Sequence, residues 1–100
     1  MKLYNEFNDI RQWAKERGIY EKGDPKTQFL KLLEETGELS KAILKSDKEE
    51  IIDAIGDCVV VLVNLSELCK LNFEDCVNSA FDQIKNRKGE MINGTFVKKI

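Results

Sequence analysis

The 100-residue chain contains no histidine, and that absence removes a large share of enzyme chemistry. Ser-His and Cys-His nucleophilic catalysis has no base. A ferritin-type di-iron centre has no Glu-x-x-His pair, and zinc loses its commonest nitrogen ligand. Cysteine is scarce and odd in number: Cys58, Cys69 and Cys76 form no C-x-x-C pair, which argues against a structural zinc site. Cys58 and Cys69 fall on an apolar helical stripe, as free thiols in a core do, and predict a reduced, cytoplasmic setting. There is no basic excess. The net charge of −2 argues against a nucleic-acid polymer as partner. No apolar run approaches the ~20 residues of a membrane span, and Met1-Lys2-Leu3-Tyr4-Asn5-Glu6 has no signal-peptide core. Internal repeats and low-complexity stretches are missing as well.

What is present suits one globular domain over residues 1–100, with 42% apolar and 34% charged residues. The pattern predicts an all-α fold of four helices and a short C-terminal hairpin. The first helix spans residues 4–17, with Phe7, Ile10, Trp13 and Ala14 on one face and Gly18 as its stop. Residues 19–23 read as a loop. Asp24-Pro25 is an N-cap followed by proline at the first helical position, so a second helix runs to about Lys45. Ser46 or Asp47 caps a third, which continues through Val59-Val60-Val61-Leu62-Val63 to about Lys70. Asn72 with Asp75 opens a fourth, ending near Lys88-Gly89. Asn93-Gly94 between Met91-Ile92 and Thr95-Phe96-Val97 signals a type I′ hairpin turn; Asn93-Gly94-Thr95 also matches a glycosylation sequon, but the turn is the better reading.

Two acidic clusters carry the chemistry, residues 34–38 and 49–57. On the second helix, Phe29, Leu32, Leu33, Thr36, Leu39 and Ile43 cluster within roughly 80° and define a core face. Glu35 lies about 80° from its centre and Glu38 about 140°, while Glu34 points nearly opposite. Lys31 shares the flank of Glu35. On the third helix, Ile51, Ile55, Cys58, Leu62, Leu65 and Cys69 make the core stripe; Asp57 and Glu50 lie about 110–130° off it and Asp53 further round. Acidic helix flanks are common surface decoration. Like charges one turn apart nevertheless cost about 0.2–0.5 kcal/mol per pair, and two such rows beside apolar stripes call for a hard divalent cation held by oxygen.

The segments Glu34-Glu35-Thr36-Gly37-Glu38-Leu39 and Asp53-Ala54-Ile55-Gly56-Asp57 resemble the E-E-x-x-E … E-x-x-D signature of the MazG-like all-α nucleoside triphosphate pyrophosphohydrolases. Ile10-Arg11-Gln12-Trp13-Ala14, Asp24-Pro25-Lys26-Thr27-Gln28 and Ile84-Lys85-Asn86-Arg87-Lys88-Gly89 resemble the short phage and bacterial members. The resemblance implies a four-helix MazG-like bundle that hydrolyses a nucleoside triphosphate to the monophosphate and pyrophosphate with Mg²⁺. It implies metal ligation by Glu35, Glu38 and Asp57, the catalytic set, and assembly as a homodimer or homotetramer.

The sequence departs from the motif at Ala54, where a glutamate is expected. Asp53, one turn from Asp57, is the first replacement ligand and Glu50 the second. Lys31, Lys85 and Arg87 are candidate phosphate contacts, with Asn86 for sugar or base and Trp13 for base stacking. Basic residues at a helix end also complement its dipole, and a tryptophan on an apolar face also serves as core. Ala54 keeps a second possibility open, a catalytically inactive relative that binds a nucleotide or a protein. A third is a purely structural helical module, which Mg²⁺ and nucleotide would not stabilise.

Overall fold

The computed structural model describes residues 3–99. Three of the helices begin where a short polar side chain accepts from one of the first free N–H groups. α1 spans Leu3–Glu16 and stops before Gly18, whose φ of 76° is a left-handed conformation that glycine adopts without strain. The five residues expected as a loop contain instead a single helical turn, α2 (Ile19–Lys22), wedged between Gly18 and Gly23. α3 (Pro25–Leu44) starts at Asp24, which accepts hydrogen bonds from the Thr27 N–H at 2.8 Å and its hydroxyl at 3.0 Å. These two bonds hold the Asp24 carboxyl below its ordinary pKa. Of the two caps expected for the next helix, Asp47 is the one used: it accepts from the Glu50 N–H and opens α4 (Lys48–Leu68). Ser46, at φ 56°, reverses the chain between the two.

Asn72 caps α5 (Phe73–Ile84), which ends four residues before the expected Lys88. The chain turns there and forms an antiparallel hairpin, β1 (Gly89–Ile92) with β2 (Thr95–Lys98), Met91 opposite Phe96. Asn93 and Gly94, with φ of 50° and 83°, supply the type I′ turn.

The centre of the molecule is the antiparallel pair α3–α4, against whose second half α1 and α2 pack. By backbone proximity α5 approaches α4 alone, and two side-chain contacts tie it to α1. The Arg11 guanidinium donates to both oxygens of Glu74 at 2.8 and 2.7 Å, and Phe7 meets Phe73 edge-on with ring centroids 5.2 Å apart. The backbone of the β-hairpin approaches no helix among the described residues, and all eight of its strand residues are exposed.

The core is thin. Ala14, Ala42, Ala54, Val61 and Val63 are buried, and Val63 is the largest described side chain with no exposure. The expected core stripes are only half realised. Leu32 and Leu39 are partly buried against α4, but Phe29, Leu33, Thr36 and Ile43 on α3 and Ile55 on α4 are exposed. The accessible surface is 8068 Å², against about 5,800 Å² for a compact monomer of this mass. The radius of gyration is 15.9 Å, where a compact 100-residue domain has about 13 Å.

Candidate active site

The face that α3 turns toward α4 carries Gln28, Leu32, Glu35, Leu39 and Ala42, a row at three- and four-residue spacing. The answering row on α4 carries Ala54, Asp57, Val61 and Asn64. Glu35 and Asp57 therefore sit within the helix–helix contact rather than on its outer rim, closer in than their expected positions beside the apolar stripes. Both are partly buried; the Glu35 side chain retains 15% of its exposure, against 61% for Glu38.

Where α3 ends and α4 begins, the pair opens into a cleft of about 260 Å³ lined by Glu35, Glu38, Glu50, Asp53 and Asp57 together with Lys41, Lys45 and Ala54. All four expected metal-binding carboxylates line this one cleft, and Glu50 joins them. Lys41 and Lys45 went unnoticed in the sequence. Their spacing of three and seven residues from Glu38 places them on its flank and could have revealed them. Five carboxylates and two ammonium groups leave the cleft strongly negative. At one end Lys31 bridges Glu34 at 3.0 Å and Glu35 at 3.5 Å, and Glu34 above all raises the lysine pKa. The Lys41 ammonium is 4.0 Å from Glu38.

Ala54 lines the cleft at only 5% exposure. A glutamate at this position would project among the other acids, so its replacement by alanine removes a carboxylate from the middle of the site. The remaining donors are oxygen atoms throughout, the set that fits Mg²⁺ or another hard dication. In their present rotamers no three acidic side chains among the described residues converge tightly enough to ligate one ion. Exposed Glu38 has the rotational freedom to close on one, and Glu35 must first leave Lys31.

A second, more apolar hollow of about 360 Å³ lies toward the other end of the same helix pair. Trp13, Ile19, Leu30, Val60 and Val61 line it, with Thr27, Gln28, Lys31, Glu34 and Asn64 as polar groups. Trp13 is 45% exposed, and the Arg17 guanidinium covers one of its faces 4.4 Å from the ring centroid. Asn64, a polar residue in a valine-rich run, is buried; its Oδ1 accepts from the Tyr20 hydroxyl at 2.6 Å. Burial pushes the Tyr20 phenol up to about 12, which keeps it a donor. Tyr20 gave no signal in the sequence, because its partner is 44 residues away. Lys31 lines this hollow and also pairs with Glu35 of the acidic cleft, so the two depressions meet at one cation.

The other expected substrate contacts lie elsewhere. Lys85 pairs with Asp82 at 3.2 Å beyond the last turn of α5, and Asn86 and Arg87 follow in the turn before β1. None of the three lines the acidic cleft. Among the described residues, no helix is long and apolar enough to cross a membrane.

Residues 24–92 match the MazG nucleotide pyrophosphohydrolase domain, a stretch that contains every acid of the cleft. An uncharacterised 18.2 kDa protein of Haemophilus phage HP1, from its rep-hol intergenic region, is 46% identical over 59 residues. That match covers 59% of this chain and 36% of the phage protein, so the chain spans only about a third of its relative. No solved structure matches.

Proposed function

The chain belongs to the MazG nucleotide pyrophosphohydrolase family, and from that premise we propose that it hydrolyses a ribo- or deoxynucleoside triphosphate to the monophosphate and pyrophosphate with Mg²⁺. The observation that carries this reading is the meeting of Glu35, Glu38, Glu50, Asp53 and Asp57 in one cleft between α3 and α4. Five like charges kept together at the expense of folding stability make sense when a cationic ligand repays them.

Glu35, Glu38 and Asp57 would hold the ion, with Asp53 in the place the missing glutamate leaves and Glu50 beside it. When bound, Mg²⁺ neutralises phosphate oxygens and lowers the pKa of a coordinated water. Glu38, the most exposed of the three, would orient the attacking water and take its proton on the carboxylate oxygen it does not lend to the ion, as the water oxygen bonds to the α-phosphorus. The bond from that phosphorus to the bridging oxygen breaks, and pyrophosphate leaves with the electron pair. Lys41 and Lys45 stand in the cleft to offset the charge that develops there, the role expected of Lys85 and Arg87. Lys31 exchanges a carboxylate for a phosphate oxygen. The base enters the neighbouring hollow against Trp13, with the Asn64 amide fixed by Tyr20 at its wall.

Ala54 favours a second reading, in which the cleft binds nucleotide without turning it over. One experiment separates the two. Purified protein is incubated with a panel of nucleoside triphosphates, with and without Mg²⁺, and the products are resolved by chromatography. Metal-dependent monophosphate and pyrophosphate, lost in Glu38→Gln, support the hydrolase. No turnover by the native chain, with turnover restored in Ala54→Glu, supports the binding protein.

A further inference from the structure

The facing rows of α3 and α4 carry polar side chains at two levels. Glu35 and Asp57 line the acidic cleft at one level. Seven residues from each, Gln28 and Asn64 share the walls of the apolar hollow. Seven residues are about 10 Å of helix and only about 20° short of two full turns, so each amide lies on the same helix face as its carboxylate. A nucleotide whose phosphates meet the cleft therefore lays its base at the level of the amides. The two amides are not equivalent. Asn64 is 3% exposed, and the Tyr20 hydroxyl stands 2.6 Å from its Oδ1. That separation suits O–H···O and is short for N–H···O, so the hydroxyl donates and the amide oxygen accepts. With Oδ1 occupied, what Asn64 offers the hollow is Nδ2, a group that only donates. Tyr20 thereby fixes which end of the amide a base meets.

We propose that Asn64 selects nucleotides whose base carries a carbonyl oxygen beside a ring N–H: uracil, thymine, guanine or hypoxanthine. The inference rests on the nucleotide reading of the acidic cleft. A carbonyl oxygen at this edge accepts from Nδ2. Cytosine and adenine carry an amino group in the same place, which sets donor against donor and leaves both unpaired. A site built around a hydrogen bond discriminates chiefly through this penalty. Gln28, across the hollow, offers its Oε1 to the ring N–H. Trp13, Ile19 and Val60 meet any base alike, so they add affinity without choice.

Isothermal titration calorimetry with Mg²⁺ and α,β-imido triphosphates, whose α–β bond resists cleavage, tests this without turnover. Deoxyuridine is compared with deoxycytidine and deoxyinosine with deoxyadenosine, two pairs that differ only at this edge. The carbonyl member should bind the wild-type chain about 10-fold more tightly or better. A preference confined to one pair also supports the inference and names the ring size. Equal affinity within both pairs, a preference for the amino member, or no binding of any of them overturns it. Discrimination by a chain that cleaves no ordinary triphosphate upholds the inference and fails the hydrolase reading; turnover without discrimination does the reverse. Asn64→Asp puts a second oxygen where Nδ2 stood and should invert the preference. Should that buried carboxylate unfold the chain, Tyr20→Phe decides. Its freed amide turns to suit either base, so the members of each pair should bind within about 3-fold of one another. An unchanged preference in Tyr20→Phe sinks the inference.

Discussion

One pair of helices carries two flanks of opposite chemistry. On one side of α3–α4, Glu35, Glu38, Glu50, Asp53 and Asp57 crowd a cleft that water can enter. On the other, Phe29, Leu33, Ile43 and Ile55 present an apolar strip. Between them runs a narrow seam of small or half-buried residues, Ala42, Leu39, Ala54 and Val61. Neither flank is covered within the chain: one gathers carboxylates in an open cleft, and the other leaves apolar side chains in water. The single chain accordingly buries little.

The sharpest way to separate the two flanks is to disable one and observe the other. Glu38→Gln keeps the shape of the side chain but removes its charge. It should lower kcat/KM for pyrophosphate release by about 10³-fold and leave the helicity unchanged. Loss of activity accompanied by loss of helicity would mean that the flanks are coupled.

Ala54→Glu moves the seam toward the chemistry of the cleft. An unpaired carboxylate at a position with 5% exposure costs about 1–3 kcal/mol, so the metal-free variant should melt below the wild type. Mg²⁺ should return that loss and raise its melting temperature more than it raises that of the wild type, as followed by circular dichroism. Equal response to Mg²⁺ in both proteins would remove position 54 from the metal site.

These flanks also explain what could be read from the sequence. Helix caps at Asp24, Asp47 and Asn72 and the Asn93-Gly94 turn were legible because each acts through neighbours within three residues. The acids of the cleft were legible through helical spacing alone. Their burial was not. The apolar stripe of α3 merges two contact surfaces, Leu32 and Leu39 toward α4 and Phe29, Leu33 and Ile43 toward solvent, and periodicity reports only their mean direction. Glu35 was therefore placed beside the core although it faces α4. The short α2 escaped because four residues between glycines carry no measurable period, and the early end of α5 because Lys85 to Lys88 are all compatible with helix.

Outside both flanks, the link from α1 to α5 serves as a control. Arg11 and Glu74 form a two-bonded ion pair with side-chain exposures of 15% and 22%. Arg11→Met should cost about 2 kcal/mol of stability without touching turnover. The Arg11 guanidinium holds the Glu74 carboxyl below its ordinary range. A lowered folded-state pKa contributes stability above the unfolded value and loses it as pH falls through the folded one. Acid titration of the wild type should therefore show a step that Arg11→Met lacks.

The smallest expected effect lies where the apolar hollow meets the seam. Tyr20→Phe deletes the hydroxyl that donates to Asn64 Oδ1, leaving a buried acceptor unpaired at a cost of about 1 kcal/mol near neutral pH. Its signature is at the alkaline end. The Tyr20 pKa is raised from 10.0 to about 12 by burial, so the folded state favours the protonated phenol. That contribution is complete below pH 10 and is lost as pH rises toward 12. Urea midpoints measured across this window should fall in the wild type and change less in Tyr20→Phe. Because the freed Asn64 amide can then turn, the same variant should raise KM for the substrate while Glu38 and the rest of the acidic cleft keep kcat near its wild-type value. A fall in kcat with KM unchanged would place Tyr20 on the acidic side of the seam instead.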